Sequence, residues 1–310
     1  MRNRHYPTPD CQTFTMTEPT LHHVHCPDAD GGHRMAYWEW GEPTNPHVVV
    51  CVHGLSRQGR DFDTLARALC ERVRVVCPDV VGRGRSDWLK NPDGYQMPLY
   101  AADMLALLAQ LKPASLDWVG TSMGGLIGMI IAGQPDLPLP VPVRRLVLND
   151  VGPALQWEAL QRIGQYLGST GRFESLQQAA DALWADSRSF GPHTPAQWLA
   201  LSAPMVRPID GDASGALTLH YDPAIAKPFR ALTREATEQG EAAMWQLYDG
   251  IHAETLLLRG AQSDLLNPAT ARAMTERGPK ARLVEFAGIG HAPTLIAADQ
   301  VEAVRSFLLG

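Results

Sequence analysis

Ser122 lies in Gly120-Thr121-Ser122-Met123-Gly124, a glycine-x-serine-x-glycine pattern. The spacing suits a serine held on a sharp strand-to-helix turn. Small residues two places away let strand and helix approach, and the turn lifts the hydroxyl above a sheet. A serine hydroxyl attacks a carbonyl only with a general base in hydrogen-bond reach, and that base needs an acid to fix its tautomer. Of the eleven histidines, His291 has the best setting for a base, in the glycine-rich loop Gly288-Ile289-Gly290-His291-Ala292-Pro293. Two acids compete to orient it. Asp264 follows an apolar run in Arg259-Gly260-Ala261-Gln262-Ser263-Asp264 and is the preferred choice. Asp150, in Asn149-Asp150-Val151-Gly152-Pro153, follows another, and is read as capping a turn or shaping the pocket floor. Either would support the same acyl transfer.

An anionic intermediate also needs fixed donors. His53-Gly54-Leu55 directly follows the apolar run Val48–Val52, and Gly54 permits a tight turn near a substrate. The backbone N–H groups of Leu55 and Met123 are therefore candidates for an oxyanion hole. His53 itself reads as a hydrogen-bonded structural residue, because a base there would compete with the oxyanion loop for space. His22, His23, His25 and His33 crowd around Cys26. Strand alternation would send His22 to the face opposite His23 and His25, and no carboxylate helix motif accompanies them, so no metal is expected.

These residues need a sheet to carry them. His47–Val52 and Val73–Cys77 are short apolar strands, and Phe62, Leu65, Ala66 and Leu69 between them have helical spacing. This strand–helix–strand unit points to a parallel sheet. The rhythm continues with helix Tyr100–Leu111, strand Leu116–Val119, helix Met123–Ala132 and strand Arg145–Leu148. It resumes with strands Glu254–Leu258 and Arg282–Phe286 and a closing helix Gln300–Leu308. Leu21–Cys26 and His33–Trp40 read as a hairpin. Residues 152–250 break the pattern. They carry helical periodicities at Leu155–Leu167, Ser175–Trp184 and Ala236–Tyr248, with no comparable strand signal. They also hold Trp157, Trp184, Trp198 and Trp245, and are read as a helical insertion over the carboxyl ends of the strands.

The chain has 310 residues, 45% of them hydrophobic and 19% charged, enough to bury a substantial core. A formal charge of -6 argues against a dominant polyanion-binding role. Five cysteines without a regular framework suggest reduced thiols and a cytoplasmic setting. Residues 1–19 read as a polar, proline-punctuated arm without the apolar segment of a signal peptide, and no run is long enough to span a membrane.

Taken together, the His53-Gly54 turn, the loop Asp79-Val80-Val81-Gly82-Arg83-Gly84-Arg85-Ser86, the Ser122 turn, Asp264 and Gly290-His291 resemble the α/β-hydrolase superfamily. Within it they resemble the branch of serine esterases, carbon–carbon hydrolases and cofactor-free haloperoxidase-like proteins. The resemblance implies an α/β fold with an eight-stranded, mostly parallel sheet flanked by helices and an inserted helical cap. Residues 20–151 and 251–310 would form the core and residues 152–250 the cap. It implies Ser122, Asp264 and His291 as catalytic residues, Leu55 and Met123 as oxyanion donors, and no metal or organic cofactor. Serine rather than aspartate at the turn disfavours epoxide and carbon–halogen cleavage. The expected activity is hydrolysis of small to medium, partly apolar carboxylic esters through an acyl-enzyme. A dienone-type carbon–carbon hydrolase and a slow-turnover receptor on the same fold are the alternatives. Leu55-Ser56-Arg57-Gln58-Gly59 departs from the glycines usual beyond the oxyanion turn of the carbon–carbon hydrolases. Arg57, Trp88, Asp150 and Trp157 are candidate pocket residues. The expected partner is a small-molecule ester, with no nucleic acid; assembly into a homo-oligomer is compatible with the sequence.

Overall fold

A computed structural model describes residues 18–310. The expected arm, residues 1–19, lies outside the described residues except for its last two positions. Eight strands form one sheet: β1 (Thr20–Cys26), β2 (His33–Trp40), β3 (His47–Val52), β4 (Arg74–Pro78), β5 (Ser115–Thr121), β6 (Val143–Asn149), β9 (Glu254–Gly260) and β10 (Arg282–Phe286). Their spatial order is β1-β2-β4-β3-β5-β6-β9-β10. The β1–β2 hairpin pairs antiparallel within itself and onto β4. All the remaining pairs of this sheet are parallel. Parallel strands need crossovers, and helices on both faces bury strands that are apolar along their whole length.

Alternation along each strand divides the core. Val48, Val50 and Val52 point to one face with Leu116, Trp118, Leu146, Leu148 and Leu257. There they meet α2 (Met97–Leu111) and α3 (Met123–Gly133). Val49 and Cys51 point to the other face with Val119, Val147, Leu256 and Leu258. There they meet α1 (Asp63–Leu69) and α10 (Ala298–Leu309). α9 (Pro268–Glu276) joins β9 to β10.

Between β6 and β9 the chain leaves the sheet. The insertion contains α4 (Trp157–Tyr166), α5 (Leu176–Ser187), α6 (Pro195–Ser202), α7 (Ala226–Arg230) and α8 (Arg234–Asp249). It also contains a two-stranded antiparallel hairpin, β7 (Val206–Pro208) with β8 (Leu217–Leu219), where the periodicities predict only helices. Three-residue strands are too short to show alternation, so no sequence pattern announces them. Trp184 and Trp198 pack edge to face at 5.0 Å and form a small core with Ala180, Leu201 and Phe190, against which Ile296 packs from outside the insertion. The cap is tied to the sheet. Gly84 N–H bonds to His220 O at 3.0 Å, and Asp222 N–H to Gly82 O at 2.7 Å. Tyr95 donates to the Asp222 carboxylate at 2.5 Å. No helix among the described residues is long and apolar enough to cross a membrane.

Candidate active site

Ser122 connects β5 to α3 with φ 51° and ψ -116°. This region costs a non-glycine residue on the order of 1–3 kcal/mol and persists only where packing enforces it. The flanking glycines show the enforcement. A Cβ on Gly120 would collide with the carbonyl oxygen of Gly124, and one on Gly124 with that of Val52. The serine is thereby held out from the sheet. Its Oγ lies 2.9 Å from His291 Nε2.

His291 Nδ1 lies 2.7 Å from an oxygen of Asp150, not of Asp264. Asp150 is fully buried and has φ 56° at the end of β6. Its Oδ1 accepts from Gly260 N–H at 2.8 Å, and its Oδ2 accepts from Ser263 Oγ–H at 2.6 Å. Asp264 is turned away. Its carboxylate, about half exposed, pairs with Arg162 at 2.8 and 3.1 Å. The expectation for Asp264 is corrected on this geometry. The loop after β9 aims the side chain of Ser263 inward, and its neighbour Asp264 consequently points out. Asp150 is the acid that reaches the histidine, and not merely a turn cap or pocket floor.

The surrounding residues lock these loops. Asn149 is buried, and its side-chain N–H groups donate to Thr121 Oγ1 at 2.9 Å and to Pro293 O at 2.8 Å. It thus ties the serine turn to the histidine loop. His53 is structural, as its sequence position suggests. Val80 N–H donates to its Nε2 at 2.9 Å, and its Nδ1 bonds Gly54 O at 2.6 Å. Burial pushes the His53 pKa down to about 3, keeping the ring neutral. Arg83 is also fully buried. Its Nε donates to Leu55 O at 2.8 Å, and its Nη1 donates to Val81 O and to Tyr100 Oη. These bonds fix the backbone of Leu55 beside Ser122. Sequence reasoning missed Asn149, Ser263 and the inward role of Arg83. The available signal is a polar residue at, or just beyond, the end of an apolar strand.

Two chambers meet at Ser122, with Leu55 and Ile163 also common to both. One, of about 130 Å³, is walled by Arg57, Arg162, Tyr166, Asp186 and His291. The other, of about 410 Å³, is apolar and walled by Met123, Leu126, Val151, Phe229 and Met244. Arg57 therefore reaches the site, held by Asp61 at 2.6 and 2.7 Å. Trp88 does not line either chamber; it is 43% exposed, with the Arg207 guanidinium 5.6 Å from its ring centre. Trp157 does not line them either. It packs against the cluster of Ala159, Leu160, Ile163 and Leu265.

A strained serine between a parallel strand and a helix, facing a histidine–carboxylate pair under an inserted cap, defines a serine hydrolase of the α/β type. The chain matches the model of the α/β hydrolase fold family over residues 47–297. It belongs to that family, and within it is a serine-type carboxylic ester hydrolase of small to medium, partly apolar substrates. It is 50% identical over 292 residues to the 3-hydroxybutyrate-oligomer hydrolase of Cupriavidus necator, covering 94% of this chain and 98% of that protein. It is 27% identical to the pimeloyl-[acyl-carrier protein] methyl ester esterase of Xanthomonas campestris, covering 84% of this chain and 94% of that one. The crystal structure of an α/β hydrolase from Novosphingobium aromaticivorans superposes with a TM-score of 0.80 at 36% identity, covering 94% of this chain and 99% of that one.

Proposed function

We propose that the protein hydrolyses linear oligoesters of 3-hydroxybutyrate, with Ser122 as nucleophile, His291 as general base and acid, and Asp150 as the orienting acid. The observation that carries the chemistry is the continuous hydrogen-bonded line from Ser122 Oγ through both nitrogens of His291 to Asp150. The substrate class is supported by the half-identical relative and by an apolar chamber beside the serine that suits a methyl-bearing acyl chain. A reducing, cytoplasmic setting belongs to the same reading, with the thiols of Cys26, Cys51 and Cys77 buried in the core. Residues 152–250 act in this reading as the cap that closes both chambers.

Ser122 Oγ attacks the ester carbonyl carbon while its proton passes to His291 Nε2. Asp150 keeps the Nδ1 proton in place and stabilises the imidazolium. The oxyanion is held by the N–H groups of Leu55 and Met123. Met123 is the first residue of α3, so its N–H has no carbonyl partner within the helix. The bond from the carbonyl carbon to the leaving alkoxide breaks, and Nε2–H protonates that oxygen. Water, deprotonated by the same nitrogen, then cleaves the acyl-enzyme and frees Oγ–H.

The test is chromatographic release of 3-hydroxybutyrate from its synthetic trimer, with Ser122→Ala as control. Serine-dependent multiple turnover is expected. A trimer left intact, while p-nitrophenyl butyrate is turned over, overturns the substrate assignment. The same preparation separates the alternatives. Bleaching of a dienone chromophore would mark carbon–carbon cleavage, and one burst followed by stasis would mark a slow receptor.

A further inference from the structure

We propose that the arginine-bearing chamber beside His291 is a subsite for the free carboxylate of the departing unit, with Arg162 its principal cation, so that an oligoester is shortened from its carboxylate end. The proposal rests on the ester-hydrolase roles given above to Ser122 and His291.

Proton delivery sets the direction. The leaving alkoxide oxygen must receive its proton from His291 Nε2, so the departing alcohol has to lie on the histidine side of Ser122. His291 lines the smaller chamber and is absent from the walls of the larger one. The smaller chamber therefore takes the alcohol and the larger one the acyl chain.

A hydroxyacid oligoester is chemically directional. Whichever bond is cut, the acyl fragment ends in a hydroxyl and the departing alcohol carries the carboxylate. The smaller chamber is also the one lined by guanidinium groups, Arg57 and Arg162; Asp186 is the one acidic residue of its lining, and Asp61 and Asp264 pair with the two arginines from outside it. Both arginines are braced from behind. Asp61 takes Nε and Nη2 of Arg57, and Asp264 takes Nε and Nη2 of Arg162. The Nη1 side of each fork is left unclaimed by its carboxylate, and Tyr166 also hydrogen-bonds Arg162, so the planar donor is already oriented when a ligand arrives. Arg57 is further held through Leu201 O and is only 11% exposed. Arg162 rides on α4 of the cap and is 38% exposed, which makes it the cation an entering carboxylate meets first.

Size agrees with direction. The alcohol side measures about 130 Å³ and the acyl side about 410 Å³. A short terminal unit fits the first, and the rest of the chain extends into the second. Cleavage in this orientation releases the carboxylate-terminal unit and leaves the remainder esterified to Ser122.

The test uses two substrates with the same acyl group, 3-(butanoyloxy)butanoate and its methyl ester, followed by the initial rate of butanoate release so that only the shared butanoyl ester bond is scored and the departing alcohol differs by its charge and one methyl group. The wild-type enzyme is expected to favour the free acid in kcat/KM by roughly tenfold, the scale of one charge-assisted contact. Arg162→Gln should bring the ratio close to one, and Arg162→Lys should restore part of it, each variant's methyl-ester rate serving as its own reference. A wild-type ratio of one or below, a ratio unchanged in Arg162→Gln, or failure to cleave either compound overturns the subsite. A trimer isotopically labelled in its carboxylate-terminal unit should yield labelled monomer first. Label retained in the dimer overturns the direction. If the trimer is not cut while the paired esters keep an Arg162-dependent ratio, the 3-hydroxybutyrate assignment fails and the carboxylate subsite stands.

Discussion

His33 and His291 each have both ring nitrogens engaged by side chains, and they do opposite things. His33, at the start of β2, lies between two carboxylates, with Nδ1 2.8 Å from Asp28 and Nε2 3.0 Å from Asp103. His291 lies between Asp150 and the hydroxyl of Ser122. An ionised carboxylate only accepts, so two of them call for N–H on both nitrogens and hold an imidazolium. A hydroxyl can donate, so Nε2 of His291 can stand unprotonated and take a proton. The first arrangement is a clamp between the β1–β2 turn and α2; the second has the hydrogen-bonding pattern that the proposed reaction asks of its base. Cys26 also lies close to His33 and Asp103, but both ring nitrogens are already committed to carboxylates, and burial drives the Cys26 thiol well above its ordinary pKa. The cluster thus has the composition of a metal site and the hydrogen-bonding pattern of an ion pair.

Breaking each histidine should separate the roles most sharply. His291→Gln or Ser122→Ala should lower turnover of p-nitrophenyl butyrate by about 10⁴-fold or more with little change in melting temperature. His33→Gln should leave turnover within about twofold but destabilise the fold by roughly 3 kcal/mol, because it leaves a buried carboxylate at Asp103 unpaired. Steady-state rates beside thermal melts decide it. A His33 variant that loses activity at full stability would undo the comparison.

Next in size is the acid. Asp150→Asn should cost about 10³- to 10⁴-fold in kcat, since an amide can donate toward Nδ1 and favour the wrong tautomer. Ser263→Ala, which removes one bond to the same carboxylate oxygen, should cost about tenfold or less. A kcat of Asp150→Asn close to wild type would reject Asp150 as the orienting acid.

The clamp adds a pH signature. Burial opposes the charged form of the His33 ring, but the hydrogen bonds and charges of Asp103 and Asp28 outweigh it, and its pKa is raised. A raised folded-state value means that the unfolded state releases its proton first. The stabilisation is fully present below the unfolded value, near about 6.5, and is lost as pH rises through the folded one. Above a pH of about 6.5 the melting temperature of the wild type should therefore fall toward that of His33→Gln. A gap that widens with pH would reverse the sign and the assignment.

Much of this is legible in the sequence alone. The apolar runs at residues 48–52 and 256–258 announce parallel strands, because only a sheet covered on both faces tolerates them. Ser122 and His291 are legible because glycine spacing records backbone crowding directly in the sequence. What is not legible depends on which way a loop side chain faces. Ser263 and Asp264 are neighbours, and nothing in their identities says that the serine turns in. Asp150 is visible as a competitor, but its left-handed backbone, which brings it under His291, follows from the packing of β6 against β9. Arg83 gives the same lesson. An arginine in a glycine-rich loop reads as surface, yet here carbonyls and tyrosines surround it.

The smallest expected effect is at Asp264, and it refines the contrast with Asp150. Both are aspartates just beyond a strand end; one is fully buried against His291, the other half exposed against Arg162. An exposed ion pair contributes at most about 1 kcal/mol and is screened by salt. Asp264→Asn should therefore change turnover of a neutral p-nitrophenyl ester by no more than about twofold, well within what such a pair can contribute. Removing the carboxylate behind Arg162 also releases its Nε and Nη2 edge. For a substrate with a free carboxylate, the variant should hold or improve kcat/KM at low salt, with the difference shrinking as salt is added. A large loss on the neutral ester would instead place Asp264 in the chemistry, and would require a rearrangement that swings it past Ser263 to His291.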